Sequence, residues 1–287
     1  MISIISIQSI GDKMGSNWEN FLKNQGEWRG SFTQVSPLGE ILGSTPSILN
    51  LEPFENNQKM RFRIRRFGDG SEAPSSDYSQ EYASLGRQII FFDTGAFAKG
   101  SLQLAPFAEF GAEFGFVAGD RRLRLVQLFD KELKLSSLTL IREFRAGSAA
   151  AENPHLTLED LWGTWRGTAY TAYGDLRAPE IGPTLLTLTQ GAAPSTAALY
   201  LEWGGQSQRS EAQIEGNRLL FQGGDRQILL LPDGASGNLP LTLPLRQPFF
   251  VEAGWLLAPN RRQRLIRSYD VSGAWVSSTL VLEERKA

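Results

Sequence analysis

Gly26-Glu27-Trp28-Arg29-Gly30-Ser31 returns as Gly163-Thr164-Trp165-Arg166-Gly167-Thr168, 137 residues further on. A second block, Arg121-Arg122-Leu123-Arg124-Leu125-Val126-Gln127-Leu128-Phe129-Asp130, returns as Arg261-Arg262-Gln263-Arg264-Leu265-Ile266-Arg267-Ser268-Tyr269-Asp270 at an offset of 140. Glu113 and Phe116 match Glu252 and Trp255 at 139. Ser136-Ser137 match Ser277-Ser278, and Glu143 matches Glu284, at 141. A slowly drifting offset over four separate blocks indicates a duplicated domain with small insertions.

The sequence around these blocks alternates with period two. Arg61-Phe62-Arg63-Ile64-Arg65 puts arginines on one face and Phe62 and Ile64 on the other. Comparable runs, among them Ser101–Leu104, Glu113–Val117, Ser207–Ile214 and Gln227–Leu231, are separated by turn signals such as Gly68-Asp69-Gly70 and Gly216-Asn217. Helix signals are few. Ser16-Asn17-Trp18-Glu19 has capping-box spacing, and Thr157-Leu158-Glu159-Asp160 is a looser copy. The expected fold is all-β, with two tandem antiparallel barrels, each preceded by a short helix. Closure suits such units because it leaves no strand edge exposed. The expected units are 17–145 and 156–287. The small, polar, proline-ended stretch 146–155 is the linker, and residues 1–16 are an N-terminal extension with Met14 read as the natural start.

Composition narrows the chemistry. The chain has 287 residues and a net charge of −2, and contains no cysteine and one histidine, His155. Disulfides, thiolate metal sites, cysteine nucleophiles and histidine-based triads therefore lack their parts. Neither half carries a basic excess, so nucleic acid is not an expected partner. No apolar run approaches the ~20 residues of a membrane helix, and none is expected.

The order of lead-in helix, Gly-x-Trp on the first strand and arginine on a late strand resembles the calycins, the clan of lipocalins and fatty-acid-binding proteins. The resemblance implies up-and-down barrels in which the first-strand tryptophan closes one end and a late-strand arginine stacks on it while bonding backbone carbonyls. Trp28 and Trp165 would be the plugs, with arginines drawn from Arg121, Arg122 and Arg124 and from Arg261, Arg262 and Arg264. The segment Asn17-Trp18-Glu19-Asn20-Phe21-Leu22-Lys23-Asn24-Gln25-Gly26-Glu27-Trp28-Arg29-Gly30 is similar to the start of a two-barrel calycin-like family of cyanobacteria and chloroplasts, and the likeness covers nearly the whole chain. Most cyanobacterial members of that family have no assigned function. Its plant member is an assembly factor for chloroplast ATP synthase that engages the β and γ subunits of the catalytic core. The resemblance implies a non-enzymatic, cytoplasmic, monomeric binding protein with a protein partner and without cofactor or metal. The sequence differs from the plant member in lacking an obvious transit peptide.

Several residue groups are candidates for more than structure. Arg267 and Tyr269 share a strand face, as a clip for a ligand carboxylate requires, and fatty-acid-binding calycins use such a pair. The same spacing also fits a rim tyrosine beside a solvated arginine. Arg61, Arg63 and Arg65 form a basic strand face, read either as edge protection or as a contact for an acidic partner. Phe91, Phe92, Phe97, Phe107, Phe110, Phe114 and Phe116 are dense enough for barrel core. The apolar loop Ala105-Pro106-Phe107-Ala108-Glu109-Phe110-Gly111 is a candidate docking surface through Phe107 and Phe110. Two other functions fit the same scaffold. One is a carrier of a small hydrophobic or carboxylate ligand in a barrel cavity. The other is a calycin enzyme, such as a bilin lyase.

Overall fold

The computed structural model describes residues 16–285 except 69, 222 and 224, so residues 1–15, and the extension expected there, lie outside the described residues. Helix α1 (Asn17–Leu22) opens the described chain. Ser16 caps it: the Ser16 hydroxyl accepts from the Glu19 amide at 3.2 Å, and the Glu19 carboxylate accepts from the Ser16 amide at 3.0 Å.

Nine strands follow: β1 (Gly26–Val35), β2 (Ile41–Phe54), β3 (Lys59–Arg66), β4 (Ser76–Tyr82), β5 (Ile89–Phe91), β6 (Phe97–Gly100), β7 (Phe110–Ala118), β8 (Arg121–Phe129) and β9 (Leu135–Arg145). The second repeat contains β10 (Gly163–Tyr173), β11 (Glu180–Gln190), β12 (Thr196–Trp203), β13 (Gln206–Glu215), β14 (Arg218–Phe221), β15 (Arg226–Leu230), β16 (Ala235–Pro240), β17 (Phe249–Ala258), β18 (Arg261–Tyr269) and β19 (Trp275–Arg285). All pairings are antiparallel, and β10 to β19 form a closed barrel. The two tandem calycin-like units expected from the sequence are present.

The units differ in closure. The first sheet runs β4-β3-β2-β1-β9-β8-β7-β6-β5 and stays open between β4 and β5. Its strand β5 is only three residues long, and helix α1 occupies the seam. Asn17 serves the free edge of β5 as a neighbouring strand would. Its side-chain amide donates to the Ile89 carbonyl at 2.8 Å, and its side-chain oxygen accepts from the Phe91 amide at 2.6 Å. The Phe21 ring bridges the two edges, 6.1 Å from Tyr82 of β4 and 4.9 Å from Phe91 of β5.

The helix expected before the second barrel is a single hydrogen-bonded turn. Thr157 and Asp160 do exchange the capping bonds, at 2.9 and 3.4 Å. However, five residues separate Thr157 from Gly163, whereas nine separate Ser16 from Gly26. The missing four amount to about one helical turn. Some strand expectations also change. Residues 101–104 form a bend and an isolated bridge to the β18–β19 connection rather than a strand, and β6 and β16 were not foreseen. The closing strands register at an offset of 140, so the counterpart of Glu143 is Glu283 rather than Glu284: Arg122 lies opposite Glu143, and Arg262 opposite Glu283.

The recurring Gly-x-Trp-x-Gly motif has a backbone explanation. Gly26 and Gly163 adopt φ of +122° and +108°, a region closed to most side chains. A Cβ on Gly30 would lie 1.8 Å from the Arg142 carbonyl oxygen, and one on Gly167 would lie 2.5 Å from that of Leu282. The first strand thus presses against the last strand of its own unit at the same place in both repeats.

The larger hydrophobic core lies between the barrels. Phe110, Phe114 and Phe116 of β7, and Leu123, Leu125 and Phe129 of β8, pack with Phe249, Val251 and Trp255 of β17 and Leu265 and Tyr269 of β18. The phenylalanines of β7 therefore face outward into the joint, while Phe91 and Phe97 share the interior of the first barrel with Trp28. Backbone pairing reinforces the joint symmetrically. The Leu104 amide donates to the Gly273 carbonyl and the Trp275 amide to Leu102, each at 2.8 Å. At the equivalent positions the Leu243 amide donates to Leu133 and the Leu135 amide to Leu241, each at 2.9 Å. The repeats thus meet as the two halves of an isologous contact do.

Candidate functional site

Trp28 and Trp165 are both fully buried and occupy equivalent positions. The Trp28 indole N–H donates to the Asn24 carbonyl at 2.8 Å, and that of Trp165 to Leu161 at 3.0 Å. Each faces an arginine directly across from it on the last strand of its barrel. The Arg145 guanidinium lies 4.4 Å over Trp28, and Arg285 lies 5.1 Å over Trp165. Both also reach the lead-in segments: Arg145 donates to the Gln25 carbonyl at 3.0 Å, and Arg285 to the Trp162 carbonyl at 2.8 Å. These two arginines were missed in the sequence. The available signal was their register, since each is the cross-strand neighbour of its tryptophan.

The arginine blocks divide by parity. Arg122 and Arg124 point into the first barrel, and Arg262 and Arg264 into the second; Arg262 also stacks on Trp165 at 4.6 Å. Glu143 joins Arg122 at 2.6 Å and Arg124 at 2.8 Å, and Arg124 continues to Glu113 at 2.9 Å. In the second barrel Glu283 joins Arg262 at 2.8 Å and Arg264 at 2.7 Å, and Arg264 reaches Glu252 at 3.2 Å. Burial alone would raise the pKa of Glu113, Glu143 and Glu283, but the facing cations more than reverse it. Lys99 and Arg124 hold Glu113 at about 2, and Arg262 and Arg264 hold Glu283 at about 2. Arg124 and Arg264 are shifted upward, since their paired carboxylates outweigh burial. Both barrel interiors are thus occupied by a tryptophan plug, a hydrophobic cluster and a buried ion network.

Arg121 and Arg261 have the opposite parity and close neither barrel. Arg121 lies in the joint, where its guanidinium stacks on Phe144 at 4.4 Å and bonds the Asp233 carboxylate and the Ala151 carbonyl. Burial raises the pKa of Asp233, against the Asn153 amide and Arg121, which both favour its charged form. Arg261 is exposed.

Arg267 and Tyr269 share a face as expected, but that face looks out of the second barrel onto the first. Arg267 is fully buried and donates to the Tyr269 hydroxyl at 3.1 Å and to the carbonyls of Gln88 at 3.1 Å and Ser101 at 3.4 Å. Tyr269 donates to the same Ser101 carbonyl at 3.0 Å. The expected carboxylate clip is therefore a strut between repeats, with its donors committed to backbone carbonyls and to the Tyr269 and Ser278 hydroxyls. Phe110 is likewise no docking residue: it is 2% exposed and packs on Phe129, Phe249 and Tyr269. Phe107 is 87% exposed at the tip of its loop. On the basic face of β3, Arg61 pairs with Glu81 at 3.0 Å and Arg63 with Asp77 at 2.6 Å, while Arg65 donates to Asn50 at 3.2 Å. These groups are not brought together with Phe107 by any contact among the described residues.

What the fold does bring together is a cleft of about 880 Å³ where the two repeats meet. Arg121, Ala151 and Asn153 line one part, and Arg166, Gln263, Arg261 and Glu284 line the rest, with Trp255 and Leu282 between them. Among the described residues, neither the Arg166 nor the Arg261 guanidinium has a hydrogen-bond or ion-pair partner. Gln263 is 8% exposed, and its side-chain oxygen is buried without a hydrogen-bond partner. Among the described residues no group of three or more His, Asp or Glu side chains is placed to hold a metal ion, and no helix is long and apolar enough to cross a membrane.

Comparison with known proteins follows the division into repeats. Residues 14–148 match the family model described as domain of unknown function (DUF3598), N-terminal. Residues 152–286 match that described as biogenesis factor required for ATP synthase 1, C-terminal domain. No curated protein matches the sequence. Among solved structures, a DUF3598-family protein of unknown function from Nostoc punctiforme is 47% identical, with a TM-score of 0.89 over 95% of this chain and 100% of that one. The S-type phycobiliprotein lyase CPES from Guillardia theta is 10% identical with a TM-score of 0.19, over 96% of this chain and 95% of that one, a likeness too low to bear on function. On the strength of near-complete coverage at 47% identity, the chain belongs to the DUF3598 family.

Proposed function

We propose that this protein is a non-enzymatic assembly factor of a cyanobacterial cell, acting in the cytoplasm on the F1 core of ATP synthase through its β and γ subunits. The observation that carries this reading is the match of residues 152–286 to the ATP synthase biogenesis factor domain. The molecule's construction supports a binding role. Its interiors are taken up by plugs and ion networks, and Arg166 and Arg261, without a hydrogen-bond or ion-pair partner among the described residues, lie on the outside at the cleft between the repeats. Such a protein acts by presenting a rigid surface, for which a shared core between the two barrels is suited.

The test is affinity capture of the tagged full chain, at near-native abundance, from a cyanobacterial lysate. Enrichment of the ATP synthase β and γ subunits is the expected result. Capture that recovers the tagged chain without either subunit overturns the proposal.

A further inference from the structure

The repeats are equivalent, but the outer faces of their last strands are not equally covered. Over the first barrel the linker lies across β8 and β9. The Ala151 carbonyl accepts from Arg121, and the Glu152 carboxylate accepts from Arg142 at 2.7 Å. Asp233 supplies the carboxylate that pairs with Arg121. An extended segment with one carboxylate thus covers this face.

On the second barrel the equivalent face is bare. Arg261 is the counterpart of Arg121, and Leu282 that of Arg142. The position of Asp233 in its turn is held in the first repeat by Thr94, which lines the cleft and carries no charge. Arg261 therefore lacks the carboxylate that its copy has. Arg166 lies on β10, next to the same edge, and Glu284 stands opposite both in the strand register without pairing with either among the described residues. Glu284 offsets one of the two charges and leaves one positive charge in excess. Gln263 adds a buried acceptor with no donor.

We infer that this half of the cleft is a docking site for an extended acidic segment of a partner protein, laid over β18 and β19 as the linker is laid over β8 and β9. Its carboxylates would meet the forks of Arg261 and Arg166, a backbone amide would donate to Gln263, and small apolar side chains would cover Leu282. This names the partner chemistry of the proposed function and rests on reading the protein as a binder of other proteins.

The probe is a fluorescein-labelled octapeptide, Ala-Ala-Glu-Asn-Pro-Leu-Glu-Ala, titrated with the full chain by fluorescence anisotropy. Saturable binding that weakens with added salt is expected, with at least a tenfold loss for the peptide carrying glutamine at both glutamates. R166A/R261A should lower affinity at least tenfold, and Q263L severalfold. Arg166 and Arg261 are exposed, so the double variant keeps the fold, which its unchanged circular dichroism would establish. Absence of saturable binding, or equal binding by the double variant or the uncharged peptide, overturns the inference. The capture experiment separates this from the wider reading. Subunit capture retained in full by R166A/R261A removes the cleft and leaves the proposed function. Peptide binding lost in R166A/R261A, together with failure of the wild-type chain to capture either subunit, leaves the cleft and removes the proposed function.

Discussion

Phe110 and Phe249 hold equivalent positions in the two repeats and meet across the joint with their ring centroids 5.7 Å apart. A residue can touch its own copy only near a two-fold axis. Phe116 and Trp255, also equivalent, meet at 6.2 Å. The duplication thus produced two barrels that bury the outer faces of their late strands against each other.

Either repeat alone should therefore be a poor protein. Residues 14–148 or 152–286 expressed separately would expose the apolar outer faces of β7–β9 or β16–β18 to water, and are expected to self-associate or precipitate. Size-exclusion chromatography with light scattering checks this. Halves that run as soluble monomers would contradict the shared core.

The plugs should matter more than the outward arginines. Trp28→Ala or Trp165→Ala, removing a fully buried indole, is expected to cost about 3–5 kcal/mol in urea unfolding. Arg145→Ala or Arg285→Ala removes a stacked cation and its carbonyl bonds, and should cost ~1–2 kcal/mol. Arg261→Ala, on an exposed side chain, should change stability by less than ~0.5 kcal/mol.

Glu283→Gln leaves two buried arginines facing a neutral amide. A loss of about 3–5 kcal/mol is expected, read from the urea midpoint. The matching change at Glu143 should behave alike, because its two arginines are arranged in the same way.

Acid should unfold the protein through these networks. Glu113 and Glu283 sit at about 2 in the folded state, against an ordinary value of 4.5. The unfolded chain therefore takes up these protons at a higher pH than the folded one does. Their stabilisation is complete above about pH 5 and is lost as the pH falls toward 2, on the order of 3 kcal/mol for each. Asp233 is shifted upward and works in the opposite sense, so it offsets part of the change. Urea midpoints should hold level from pH 7 to about pH 5 and fall from there to pH 3, and a profile that stays flat down to pH 3 would contradict the assignment.

Phe107 and Phe110 are three residues apart and should respond oppositely to substitution. Phe107→Ser is expected to leave the urea midpoint unchanged, since the ring is 87% exposed. Phe110→Ala should cost about 3–5 kcal/mol through the cavity left in the joint.

Much of the fold was legible because it rests on local periodicity and on repetition. The Gly-x-Trp-x-Gly copies mark the same strand start twice, and alternation placed Arg122 with Arg124 and Arg262 with Arg264 on common faces. What alternation cannot tell is which face is inside. In β7 and β8 both faces are buried, one by the barrel and one by its neighbour, so Phe110, Phe114 and Phe116 read as interior while they build the joint. Arg267 and Tyr269 were misread for the same reason. The capping arginines Arg145 and Arg285 escaped notice because their role depends on register across two strands far apart in sequence. The cleft was not legible at all, since it arises from a linker that covers one of two equivalent faces.

The decisive measurement is hydrogen exchange of the full chain, alone and mixed with isolated ATP synthase β and γ subunits. Slowed exchange concentrated in β18 and β19 around Arg261 and Glu284 is expected, with the plugs at Trp28 and Trp165 unaffected. Exchange left unchanged throughout, or slowed only on a surface remote from the cleft, would contradict docking of these subunits at the cleft.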